Sequence, residues 1–171
     1  MHAGLSWSTG TAAAGAAEAY GGKESGMRVV AQRVSRASVL VGGDTVGAIE
    51  QGLVLLVAFA PDDGREKLDW MARKVVGLRI FADGESRMNR SVRDVGGSLL
   101  VVSQFTLYGD TSRGLRPSFV GAAPADRAED LYDRFLSACR EEGVRVESGR
   151  FGAMMKVELV NDGPVTLILD R

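Results

Sequence analysis

The stretch at residues 51–60, "QGLVLLVAFA", is the tightest constraint on what this chain can fold into. From Leu53 onward it is apolar without interruption. A strand with one wet face alternates apolar and polar side chains; this one does not, so both of its faces must be covered. It falls well short of the roughly 20 apolar residues that a membrane-crossing helix needs. It therefore reads as a central strand, and a central strand needs paired neighbours at its edges and packing layers on both faces.

The flanking sequence supplies both. "MRVVAQRVSRASVLV" and "DTVGAIEQGLVLLVAFA" read as strands joined by a hairpin turn at Gly42-Gly43. Pro61-Asp62-Asp63-Gly64 ends the apolar run and offers carboxylates to cap a helix. In "REKLDWMARKVVGL", Leu68, Met71, Val75 and Leu78 recur at helical spacing. "RIFADGESRMNRSV" reads as short extended pieces around an Asp-Gly turn, and "GGSLLVVSQFTLYGD" as a strand that turns polar after Val102. Pro124 opens a second helix with Leu131, Phe135 and Ala138 on its apolar stripe and Gly143 just past its end. "VRVESG", "KVELV" and "VTLILD" read as closing strands. The expected order is β-β-β-α-β-β-α-β-β-β. This predicts one mixed α/β (α+β) domain over residues 27–171, a mixed sheet or partly closed β-barrel covered by two helices. Residues 1–26 are rich in Ala, Gly, Ser and Thr, show no amphipathic period and lack the pattern of a secretory signal. They are expected to be a disordered or non-native extension.

Composition then removes whole classes of chemistry. The only histidine is His2, outside the expected domain. Ser-His-Asp and Cys-His catalysis are thereby excluded from the domain. Most zinc sites go too, since one cysteine, Cys139, and no histidine do not make a ligand set. A lone cysteine also excludes an internal disulfide framework and fits a reducing compartment; on Cys139's expected helix, packing is the ordinary role. Outside the extension, which holds Lys23, Glu18 and Glu24, basic residues fall from 21 to 20 and acidic from 22 to 20. No broad basic field points to nucleic acid, so any RNA contact must be local.

Three polar interruptions at strand ends remain as places for chemistry. In Ser103-Gln104-Phe105-Thr106, strand alternation puts Ser103 and Phe105 on one face unless the backbone bends. A Ser or Thr nucleophile there needs a base, and only Lys, a carboxylate or the substrate itself is on offer. Arg113 and Arg116, in "RGLRP", suit phosphate recognition or are simply solvated. "NDGPVT", Asn161 to Thr166, places a proline in a strand-like stretch and reads as a hairpin turn. A cis Gly163–Pro164 bond there would present two fixed carbonyl acceptors to an ammonium group. Arg33 alternates with apolar neighbours, so it needs a partner if it points inward. Phe151, Met154, Met155 and Trp70 read as core or wall residues.

"QRVSRASV", "RIF", "MNRSV", "GGSLLVVSQFTLYGD", "RPSF", "GRFGAMMKV" and "NDGPVT", in this order, resemble the D-aminoacyl-tRNA deacylases, the DTD family. The resemblance spans the chain from about Met27 onward. It implies a cytoplasmic homodimer that hydrolyses the ester between a D-amino acid and the terminal adenosine of tRNA; no cofactor is expected, and no metal, since no clustered Asp/Glu motif marks a magnesium site. Glycine mischarged onto tRNA is implied as a further substrate. Gly163 and Pro164, joined by a cis bond, would form the chiral filter, reaching from one subunit into the pocket of the other. Ser103, Gln104, Phe105 and Thr106 would be the catalytic residues lining the pocket, with Asn161, Thr166, Arg33 and Met155 in support. Within "NDGPVT", Asp162 is the position least expected to matter. The 2′-hydroxyl of the terminal ribose would assist water attack, with N–H groups near Phe105 or Thr106 stabilising the oxyanion; a covalent Thr106 is the rival. A non-catalytic dimeric small-molecule-binding module and an unspecific small-ester hydrolase are the alternatives.

Overall fold

The computed structural model describes residues 26–171. The expected extension at 1–26 lies, up to its last residue, outside them. Strand β1 (Arg28–Val41), β2 (Asp44–Ile49) and β3 (Gly52–Ala58) are followed by helix α1 (Arg65–Gly77). A short pair, β4 (Phe81–Ala82) and β5 (Met88–Arg90), precedes β6 (Ser98–Ser103) and a 3-10 turn at Phe105–Tyr108. Helix α2 (Ala125–Glu141), β7 (Arg145–Ser148) and β8 (Lys156–Asp170) complete the domain.

β1 lies at the centre of the antiparallel part of the sheet. One of its edges pairs with β8 along nearly its whole length, the other with β3 and then β2. β3, β6 and β7 continue the sheet as parallel neighbours. The sheet then curls until β2 meets β7. A Cβ on Gly47 would lie 2.6 Å from the Ser148 carbonyl oxygen, so only glycine admits this approach. The result is a mixed, nearly closed, barrel-like sheet with two helices packed on it.

The apolar run behaves as its composition requires. Leu53, Leu55 and Val57 of β3 join Leu99 and Val101 of β6 under the helices, against Leu68, Met71, Val75, Leu131 and Phe135. Val54 of β3 and Leu100 and Val102 of β6 face the other way, into a second cluster with Val34, Ala37, Val39 and Ile49 inside the curl. Leucine-to-alanine truncation in either layer costs about 2–5 kcal/mol.

Several expectations are corrected. "KVELV" and "VTLILD" are not two strands around a hairpin turn but one continuous strand, β8, with both halves on β1. Both extended pieces around the Asp-Gly turn form short strands, where the expected order counted one, so the order is β-β-β-α-β-β-β-α-β-β. Asp63 does not cap α1: its buried carboxylate turns back to accept the Ala60 N–H at 2.7 Å and Lys67 Nζ at 3.0 Å. Met154 is exposed rather than a wall residue. Trp70 is only partly buried and carries the Arg171 guanidinium over its ring at 4.9 Å.

Candidate active site

The polar end of β6 bends. Gln104 leaves the strand with φ −147° and ψ 71°, and a 3-10 turn follows, so the alternating-face expectation for Ser103 to Thr106 does not apply. Main-chain bonds shape this turn. Gln104 N–H donates to the Val57 carbonyl at 2.7 Å, Leu107 N–H to the Gln104 carbonyl at 3.1 Å, and Gly109 N–H to the Thr106 carbonyl at 2.9 Å. The N–H groups of Phe105 and Thr106 precede the first bond of the turn, the place where such groups lack an internal partner. The side chains stand outward. Phe105 is 58% exposed and meets Phe119 edge-to-face with centroids 5.1 Å apart; the Gln104 amide donates to the Thr106 hydroxyl. Arg28 ties the turn to the sheet through the Leu107 carbonyl at 3.0 Å and Asp170 at 2.7 Å.

The second segment interrupts β8. Asn161 is opposite Val34 and Thr166 is opposite Gln32, so residues 162–165 bulge out across from Arg33 alone. The Gly163–Pro164 bond is cis, and Gly163 has φ +114°, where an L side chain is strained. Side chains replace the missing ladder bonds. Asn161 Nδ2 donates to the Arg33 carbonyl at 2.9 Å and to the Val165 carbonyl at 3.1 Å. Its Oδ1 accepts the Thr166 hydroxyl at 3.2 Å and the Gln32 amide at 3.4 Å. Arg33 points to the helix-covered face and finds the partner that burial demands: its guanidinium donates to the Ile80 carbonyl and pairs with Asp162 at 3.0 Å. Asp162, the position least expected to matter, thus holds Arg33. Its sequence separation from Arg33 hid this contact, as it hid the role of Gln32.

The structure gathers Ser103–Thr106 into one place, and Arg33, Asn161, Gly163, Pro164 and Thr166 into another, without joining them. Arg33 lies beside Leu53, and Leu53 beside Leu99, whereas Ser103 is at the far end of β6 beside Val57. Three strand spacings across and four residues along put the two segments on the order of 15–20 Å apart. Met155 packs against the inner cluster that includes Val102. Arg113 and Arg116 sit in an exposed loop. Two surface hollows, of about 300 Å³ between α1 and α2 and about 260 Å³ beside β1, β2 and β8, include none of the expected site residues. Cys139 is fully buried, and burial pushes its thiol up to about 12, which suits packing and not nucleophilic attack.

Comparison with known proteins identifies the family. The family model described as D-Tyr-tRNA(Tyr) deacylase matches residues 30–170. The D-aminoacyl-tRNA deacylase of Thermotoga petrophila is 57% identical over 144 residues, covering 84% of this chain and 97% of that protein. That of Exiguobacterium sibiricum is 57% identical over 145 residues, covering 85% of this chain and all (100%) of that protein. Among solved structures, a protein described as c-Myc DNA unwinding element binding protein superposes with a TM-score of 0.79 at 40% identity, covering 84% of this chain and 98% of that one. A probable eukaryotic D-amino acid tRNA deacylase shares the fold with a TM-score of 0.74 at 23% identity, covering 85% and 99%. With the match running from β1 to the end of β8, the chain belongs to the D-Tyr-tRNA(Tyr) deacylase family.

Proposed function

We propose that this protein hydrolyses the ester between a D-amino acid and the terminal adenosine of tRNA, releasing free tRNA and the amino acid, and so proofreads chirality in translation in the cytoplasm. The observation that carries this reading is the 57% identity, over the whole described domain, to proteins named for that activity. Glycine mischarged onto tRNA belongs to the same substrate class, since it has no side chain to exclude.

The roles follow from which groups each segment leaves available. At the β6 end, Phe105 offers an exposed ring for the adenine to stack on. The Phe105 and Thr106 N–H groups point out of the turn's first residues, where an oxyanion is stabilised by fixed dipoles. No histidine lies in residues 27–171; in keeping with the family resemblance, the substrate's own 2′-hydroxyl assists water attack. At the bulge, the main chain of Gly163 and Pro164 is exposed, and its carbonyls accept the α-ammonium. An L side chain then meets the loop itself, so the wrong enantiomer is rejected by steric conflict.

One chain holds these two segments too far apart to act on one ester, so the site is completed by the Gly163–Pro164 loop of a second copy. Two observations support this homodimer. The loop sits in a strand of 15 residues, β8, whose other edge pairs with no strand among the described residues. Such a long edge invites pairing or cover. Arg113 and Arg116 contact the acceptor-end phosphates, and the balanced charge keeps the footprint small, so affinity falls only modestly with salt.

Deacylation of D-Tyr-tRNA and L-Tyr-tRNA by the same preparation tests the reading. Release from the D form alone is expected. Release from neither indicates a binding module, and equal release from both indicates an unspecific esterase.

A further inference from the structure

Residues 162–165 leave the ladder with one side chain beneath them. Arg33 is 12% exposed, and each edge of its guanidinium is engaged. Nη1 donates to the Ile80 carbonyl at the end of the α1–β4 connection. Nε lies 3.0 Å from the Asp162 carboxylate and 3.3 Å from the Asp162 carbonyl. Nη2 lies 2.6 Å from where a Cβ on Gly163 would be, which makes it the floor under that residue. The Ile80 carbonyl holds one end of the group at Nη1. Residue 162 holds the other at Nε, gripping it with a carboxylate and a carbonyl at once.

We propose that Asp162 is a positioning residue for enantiomer selection: by holding Arg33 beneath Gly163, it sets how far the Gly163–Pro164 carbonyls stand out and hence how strictly L-amino acids are refused. This rests on the reading of Gly163–Pro164 as the filter. Direct capture of the substrate ammonium by Asp162 is a different role. Its charge is already met by Arg33 at ion-pair distance, so the carboxylate adds little net field for a second cation. A positioning role changes the ratio of D to L hydrolysis, while a charge role raises KM for both.

The test uses the full-length protein with D-Tyr-tRNA and L-Tyr-tRNA. Asp162 is 52% exposed, so its substitution leaves the core untouched. With Asp162→Ala, the D-over-L ratio is expected to fall by about fivefold, the upper end for a half-exposed ion pair, with KM for D-Tyr-tRNA unchanged. Asp162→Asn keeps an acceptor oxygen for Arg33 and is expected to recover part of the ratio. Arg33→Lys lowers the ratio, and adding Asp162→Ala to it lowers it no further, because the two residues act as one unit. An unchanged ratio in Asp162→Ala overturns the proposal. So does a rise in KM alone, or additive losses in the double variant. Gly163→Ala, run alongside, separates the two levels. If it leaves the ratio intact, the filter reading fails and takes this inference with it. If it collapses the ratio while Asp162→Ala does not, only the positioning role fails.

Discussion

The 3-10 turn after β6 and the bulge in β8 are held by opposite parts of the chain. The turn is shaped by main-chain bonds to Val57, Gln104 and Thr106, and the side chains at its start, Phe105 and Thr106, stand outward. The bulge has lost its ladder bonds, and Asn161, Gln32, Thr166, Arg33 and Asp162 hold it by their side chains while its main chain faces outward. The difference supports the proposed division of roles. A turn whose side chains are not needed for its shape lends them to a ligand, together with the N–H groups at its start. A loop held by its polar side chains leaves its main chain to meet a ligand, and its carbonyls suit a donor such as an ammonium group.

The largest effect is expected from mixing two defective chains. Phe105→Asp places a charge on the exposed ring position of the turn and abolishes turnover in its own homodimer. Gly163→Ala leaves turnover but removes discrimination. In a mixed dimer with the bulge acting across the interface, the one working turn receives an intact loop, so the remaining activity is strictly D-specific. If each chain uses its own loop, the remaining activity accepts both enantiomers. Deacylation of D- and L-Tyr-tRNA by purified mixed dimers reads the outcome directly.

Gly163→Ala alone comes next. The added Cβ would sit 2.6 Å from Arg33 Nη2 and 3.0 Å from Val165 Cγ2, at a φ of +114°. The conformational cost is about 1–3 kcal/mol, so thermal unfolding should move down by several degrees as the D-over-L ratio collapses. A stable variant with unchanged discrimination would show that the bulge has room to spare and is no filter.

A paired measurement sharpens the contrast between side-chain and main-chain support. Asn161→Ala removes a donor shared by the Arg33 and Val165 carbonyls, a loss of about 1–3 kcal/mol in urea unfolding. Gln104→Ala removes only an exposed contact to Thr106 and should cost within about 0.5 kcal/mol. Equal costs would mean that the two segments are not held differently after all.

The two-layer core was legible because it depends on local pattern. An uninterrupted run such as 53–60 has no other soluble solution than burial on both faces, and Leu131, Phe135 and Ala138 at helical spacing must face a core. The site was legible only in pieces. Gly163–Pro164 announces a departure from the ladder, yet a turn that reverses the chain and a bulge that does not share the same residue types. What separates them is that "KVELV" and "VTLILD" both register on β1, a long-range fact. The contact of Asp162 was hidden for the same reason: its partner Arg33 is 129 positions away, and no spacing rule links them. At Gln104 the turn to polar residues after Val102 allowed a bend but did not fix one, since its main-chain bond runs to Val57.

A small effect on turnover is expected at Thr106, where mechanism and architecture make the same demand. Its hydroxyl accepts from the Gln104 amide, and the turn keeps its main-chain bonds without it. If the ribose hydroxyl assists hydrolysis and the N–H groups stabilise the oxyanion, Thr106→Ala retains both. Turnover of D-Tyr-tRNA should then fall by less than about tenfold, the loss of one neutral contact in the transition state. A nucleophilic Thr106 predicts otherwise: an acyl-enzyme that can be trapped in the wild type, and near-complete loss of both the trapped species and turnover in the variant. That pair of results would move the chemistry from the main chain to a side chain. It would also break the division of labour between the turn and the bulge, because the turn would then contribute a covalent catalyst and not only a fixed set of dipoles.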